Sequence, residues 1–114
     1  MKIFLIALGG FFGSITRSVL SDYTKSFLST WIVNVFGSIL LAIALYFYLS
    51  YHYAEIFYIS IAIGFCGAFT TFSTFSYESF CLLKEKRYLI ASLYIFTPVL
   101  LTITIVYFIL YRFI

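Results

Sequence analysis

The sequence predicts an all-α integral membrane protein of four transmembrane helices, the third of them broken. Three observations predict it. Of 114 residues, 64% are hydrophobic and 10% charged, with a mean hydropathy of +1.11; soluble domains run at about 45–50% apolar and about 25% charged. Apolar runs of the length a spanning helix needs, about 20 residues, recur four times with short connections between them. Within the third run, residues 64–78 read Gly-Phe-Cys-Gly-Ala-Phe-Thr-Thr-Phe-Ser-Thr-Phe-Ser-Tyr-Glu. Glycines, hydroxyls and a carboxylate crowd a segment that belongs in lipid, where unsatisfied polar groups are costly. Such a cluster lines a protein interior or an aqueous path, and polar residues at membrane depth are functional candidates.

Span one covers roughly residues 3–20. Its start, Met1-Lys2 and an apolar run, has the look of a signal peptide, but no Ala-x-Ala pattern follows and the run continues to Arg17, so it reads as a retained span. Gly9 and Gly13 lie four apart on one face, as small residues do at a close helix contact. Arg17 is an arginine inside a span; it meets a carbonyl, a carboxylate or water, or snorkels to the interface. A polar connection follows at Ser21–Ser26.

Span two runs from about residue 27 to 49. Thr30, Asn34 and Ser38 recur at i, i+4 and i+8, a polar stripe on one face of an otherwise apolar helix. The stripe reads equally as interhelical hydrogen-bond glue or as a pore lining. In the second reading the Asn34 amide offers two N–H donors to an anion. His52 falls in the next connection and reads as solvated.

Span three, about residues 56–83, is too long and too polar for one plain helix. A break is expected near 67–70, with Thr70 or Thr71 capping the restart. A broken helix frees carbonyl oxygens, which suit a small hard cation, and turns the positive end of the restarted half toward the membrane centre. Phe72 and Phe75 follow on neighbouring turns; ring edges carry partial positive charge, so the pair is either core packing or a cradle for a small anion. Thr71, Thr74 and Glu78 succeed one another down that helix, and Glu78 either reaches the interface or pairs with Arg17. Span four, about residues 88–111, is interrupted by Pro98, and Tyr94, Pro98 and Thr102 share a face.

The whole chain, 1–114, thus reads as one four-helix transmembrane domain with no room for a soluble catalytic one. No nucleophile–base pair, carboxylate dyad, metal-ligand cluster or phosphate loop is present, so an enzyme is not expected. The net charge of +3 is scattered and forms no basic patch for nucleic acid. Cys66 and Cys81 have neither zinc nor redox spacing and read as free thiols. Lys25, Lys84, Lys86 and Arg87 fall on one side of the membrane, and Lys2 and Arg112 on the other. This mild bias points the first side toward the cytoplasm and leaves insertion both ways round open.

Three motifs, Gly9-Gly10-x-x-Gly13-x-x-x-Arg17, Val33-Asn34-x-x-Gly37-Ser38 and Gly64-Phe65-Cys66-Gly67-x-x-Thr70-Thr71-Phe72-Ser73-Thr74-Phe75-Ser76-x-Glu78, together resemble the CrcB/Fluc family of fluoride channels. The resemblance covers spans one to three in order, and length and layout agree over the whole chain. It implies a passive, fluoride-selective channel in a multi-pass, bacterial-type plasma membrane, built as an antiparallel dual-topology dimer with two pores. Asn34, Phe72 and Phe75 would line the ion path. Thr71, Thr74, Tyr94 and Thr102 would supply a polar track beside it, with Thr30 and Ser38 on the Asn34 stripe. Backbone carbonyls of Gly67 and Thr70 would hold a structural Na⁺ at the dimer centre. Ala68 stands where the family usually has a second glycine, and Pro98 where it often has a small hydroxyl residue.

A four-helix unit of this size is too small to enclose a hydrated pore, so pairing is expected on physical grounds as well. The partner is a second copy, or a paralogue of fixed opposite orientation, in which case this chain is one subunit of a heterodimer or a non-conducting one. A small proton-coupled multidrug exporter has similar length and span number. That chemistry needs a carboxylate in mid-membrane in span one, and residues 3–20 contain no Asp or Glu.

Overall fold

The computed structural model describes residues 1–24, 27–51 and 55–111. What the sequence suggests for Lys25, His52 and Arg112 lies outside these residues. Four helices are long and apolar enough to cross a membrane: Lys2–Thr24, Leu28–Tyr51, Glu55–Lys84 and Tyr88–Leu110. No strand is present among the described residues. The first span is helix α1 (Lys2–Thr24) and the second α2 (Phe27–Tyr51). The third is composite: α3 (Glu55–Tyr58), a π-helical segment (Ile59–Cys66), α4 (Gly67–Phe69) and, after a break, α5 (Ser73–Lys84). The fourth is α6 (Tyr88–Leu110).

α1 is longer than its hydropathy suggests and absorbs most of the polar stretch read as a connection. Hydroxyls explain how. Thr16 donates to the Phe12 carbonyl at 2.7 Å and Thr24 to the Leu20 carbonyl, so these polar side chains satisfy themselves on their own helix. α6 likewise runs through Pro98 rather than being interrupted there. Thr102 donates to the carbonyls of Pro98 (2.6 Å) and Val99 (3.1 Å), so its hydroxyl too is satisfied on its own helix.

The first and third spans meet backbone to backbone. A Cβ on Gly9 would run into the Ser60 carbonyl and stand 2.9 Å from the Phe65 nitrogen. On Gly64 it would lie 2.7 Å from the Ile6 carbonyl oxygen and 3.1 Å from the Gly9 Cα. Gly13 meets the Phe65 carbonyl in the same way. Packing of this closeness replaces the hydrophobic drive that lipid-embedded helices lack. The contact falls on the π-helical segment, whose Ile59, Ala62, Gly64 and Cys66 are buried.

The break divides the third span between two sets of neighbours. Its first half packs on α1, its second half on α6, and α2 touches both halves and α6. A small core joins the second half to α6: Leu82, Ala91 and Tyr94 are buried, with Trp31, Phe75, Ile90 and Ile95 packed around them. α5 ends at Lys84 in a tight closure. The N–H of Arg87 bonds the Leu82 carbonyl and that of Lys86 the Leu83 carbonyl, with Lys86 in the left-handed region at φ 61°, as at a Schellman end. Both cysteines are free, Cys66 buried and Cys81 half-buried. The molecule measures 49 × 32 × 19 Å. Its long axis exceeds the ~30 Å hydrocarbon core, and its short axis is only about two helix diameters at ~10 Å each.

Candidate functional site at the break in the third span

The helix breaks at Thr70–Phe72, just beyond the glycine expected to cause it. Gly67 itself is helical (φ −61°, ψ −36°), whereas Thr70 is extended (φ −83°, ψ 158°). β-branched threonine favours that geometry. Thr70 turns back on the preceding turn: its N–H and its hydroxyl both donate to the Cys66 carbonyl, at 3.0 and 2.9 Å.

Thr71 leaves the helical ladder altogether. Its N–H donates to Asn34 Oδ1 at 2.7 Å, and its carbonyl accepts from Asn34 Nδ2 at 2.9 Å. The two bonds fix which end of the Asn34 amide is oxygen. They also correct the expectation of two N–H donors for an anion, because one N–H is committed to Thr71. The N-cap position is Phe72, and the hydroxyl that serves the first turn comes from Thr71 just before it: it accepts from the Thr74 N–H at 3.3 Å and lies 3.3 Å from the Ser73 and Thr74 hydroxyls.

The carbonyls of Gly67 and Thr70 are among those that lose their helical partners in this arrangement. In a continuous helix Gly67 would accept from Thr71 N–H, and Thr70 from Thr74 N–H; those donors go instead to Asn34 and to the Thr71 hydroxyl. Gly67 and Thr70 are the positions expected to hold a cation. Uncharged hard oxygens of this kind fit a small hard ion. Around them an open-sided cleft of ≈ 320 Å³ is lined by Asn34, Ser38, Cys66, Gly67, Thr71 and Phe72, among others.

Beyond the break, Phe72 is 77% exposed. Phe75 is half-buried and stacks on Tyr94 (centroids 5.4 Å apart, 22° between planes), with the Phe72 ring 6.2 Å from it and tilted by 37°. One face of Phe75 is thus occupied while its neighbour stands open. Behind the pair, Glu78 joins three helices: its carboxylate accepts from Thr30 at 3.1 Å and from the Tyr94 hydroxyl at 2.7 Å. Thr30 and Tyr94 are both buried. Among the described residues no ion pair joins Glu78 to Arg17, whose side chain is half-buried on α1.

The polar stripe of α2 therefore has divided duties. Thr30 and Asn34 bond across to the third span, while Ser38 donates to its own helix at the Asn34 carbonyl, 2.8 Å away. Tyr94 and Thr102, expected on one track, address different places. Tyr94 belongs with Phe75 and Glu78, and Thr102 lines a second cleft of ≈ 450 Å³. Ser38 and Leu41 line both clefts. The role of Gly37 went unread beyond its place in a motif: it seats the Thr70 side chain, whose methyl group a Cβ there would strike. The signal was its spacing of three from Asn34, which puts both on one face.

The fold and the break define a multi-pass membrane protein whose polar groups converge on an interrupted third helix. The model of the family described as CrcB-like protein, Camphor Resistance (CrcB), matches residues 4–110, and the chain belongs to that family. It is 44% identical to the fluoride-specific ion channel FluC of Methanococcus maripaludis, over 77% of this chain and 75% of the relative. It is 41% identical to that of Thermococcus kodakarensis, over 90% and 87%, and 40% identical to that of Methanocaldococcus jannaschii, over 94% and 90%. The family is one of channels, not enzymes.

Proposed function

We propose that this chain is a passive, fluoride-selective channel that lets fluoride leave the cytoplasm down its gradient. The observation that carries the reading is its likeness, over about nine-tenths of its length, to proteins named as fluoride-specific channels. The geometry supports it. The protomer is only 19 Å thick, and its polar cleft and the Phe72 ring lie open at its surface, where a second copy would complete them. Two copies in antiparallel orientation would bring two breaks together, and the Gly67 and Thr70 carbonyls of both would give four oxygens to one Na⁺. That ion would fasten the dimer without taking part in conduction.

The anion would pass beside the break. The remaining Asn34 N–H, the Thr71 and Thr74 hydroxyls and the edges of Phe72 and Phe75 each offer partial positive charge. None offers a full charge that would trap the ion. Tyr94, held by Glu78, fixes Phe75; Thr30 fixes Glu78 in turn. Ser38 and Thr102 extend the polar lining along the second cleft. The physiological purpose follows from acid chemistry: HF crosses lipid as a neutral molecule and dissociates inside, and fluoride then needs a pore to escape.

Cells lacking their own fluoride exit route test this reading. With the chain present in their membranes, they should grow in acidic, fluoride-containing medium that arrests the parent strain. Equal arrest with the chain in place would contradict it.

A further inference from the structure

A helix that unwinds within a membrane must find partners for the backbone groups it releases. At Thr71 a single side chain takes both: Asn34 accepts from the N–H at 2.7 Å and donates to the carbonyl at 2.9 Å. Three residues on, Gly37 leaves room for the Thr70 side chain to rest directly on α2, and a Cβ there would also stand 3.2 Å from the Phe69 ring. Asn34 matches the polar groups of the break and Gly37 matches its shape. Ion conduction alone requires neither fit.

We propose that Asn34 and Gly37 form a latch that holds the third span in its broken form, and that Asn34 thereby sets the affinity of the cation site. Asn34 is here a positioning residue, acting through Thr71. The mechanism is competition for one proton. Released from Asn34, the Thr71 N–H has an alternative acceptor in the Gly67 carbonyl, its partner in a continued helix. A carbonyl so bonded is a poorer metal ligand. Latch and cation therefore favour the same state of the break, and each strengthens the other. The inference rests on the carbonyl cation site proposed above and adds what keeps that site open.

The test is the thermal unfolding midpoint of the purified protein as Na⁺ replaces N-methylglucamine at constant ionic strength. Asn34→Leu, which keeps bulk and removes both bonds, and Gly37→Ala, which pushes Thr70 off its seat, should each need about tenfold more Na⁺ or more for the same shift, the scale of a lost buried hydrogen bond. Thr104→Val, which removes a hydroxyl bonded only to its own helix at the Leu100 carbonyl, should leave the Na⁺ dependence unchanged. Latch variants that respond to Na⁺ as the parent does would overturn the latch while leaving the cation site standing. A parent with no Na⁺ response would overturn both. If the variants do not assemble, hydrogen exchange on the unaltered chain decides: Na⁺ should slow exchange across residues 69–75, and equal exchange with and without it would refute the coupling.

Discussion

Asn34 reaches Thr71 across thirty-seven positions of sequence with two hydrogen bonds, and this contact orders the surrounding chemistry. That Asn34 is special was legible from its place on a polar stripe in a greasy helix; its partner was not, because a pairing over that separation depends on how the spans pack. Glu78 shows the same limit. Interface or Arg17 were the readable options, and the structure supplies a third, Thr30 and Tyr94. Removing one donor from this half-buried carboxylate leaves it under-satisfied, so Tyr94→Phe should destabilise the protein by about 1–3 kcal/mol, read as a lowered unfolding midpoint. Phe72 is different: a ring this exposed adds little to folding, and on the proposed ion path its effect would fall on transport. Phe72→Ile should cut fluoride efflux about tenfold or more, a barrier change of about 1.4 kcal/mol, with the parent's elution volume kept on size-exclusion chromatography. Unchanged efflux would remove Phe72 from the ion path.

Each span is visible in the sequence because apolar length alone identifies a membrane helix. The glycines at 9 and 13 also read correctly as a close contact, although their partner, the π-helical segment, left no sequence signature that hydropathy or spacing detects. The break was legible, and it begins at Thr70, the last residue of the stretch expected for it. Glycine drew attention to residue 67, yet the backbone departs from the helix at Thr70, where α2 offers Gly37 as a seat and Asn34 as a substitute ladder. Helix ends shifted for a related reason, since threonine hydroxyls that read as loop signals bond back to their own helix in α1. The α1 contact gives a direct check. Gly9→Ala puts a Cβ against main-chain atoms that have nowhere to go, and overpacking of this kind costs typically about 1–3 kcal/mol. The measurement is denaturant or thermal unfolding of the purified variant; a stability equal to the parent's would mean that the two spans do not touch as described.

At the scale of the molecule, shape carries the expectation of pairing. A protomer 19 Å thick presents its polar cleft and Phe72 at its surface, and a Cβ on Gly67 would find nothing within 4 Å. Gly67 is therefore a clean probe for the second copy. Gly67→Phe starts from a Cβ that meets nothing in the protomer, and on the proposed dimer its ring would fill the space between two breaks. It should shift the purified protein from dimer to monomer on size-exclusion chromatography with helical content intact, whereas an unperturbed dimer would place the interface elsewhere. The central claim, that the broken third span serves a fluoride pore, is tested most directly by ion release from liposomes holding this chain alone under an applied potential. Rapid fluoride release with chloride retained is the expected result. Equal release of chloride, or release of neither ion, would contradict it.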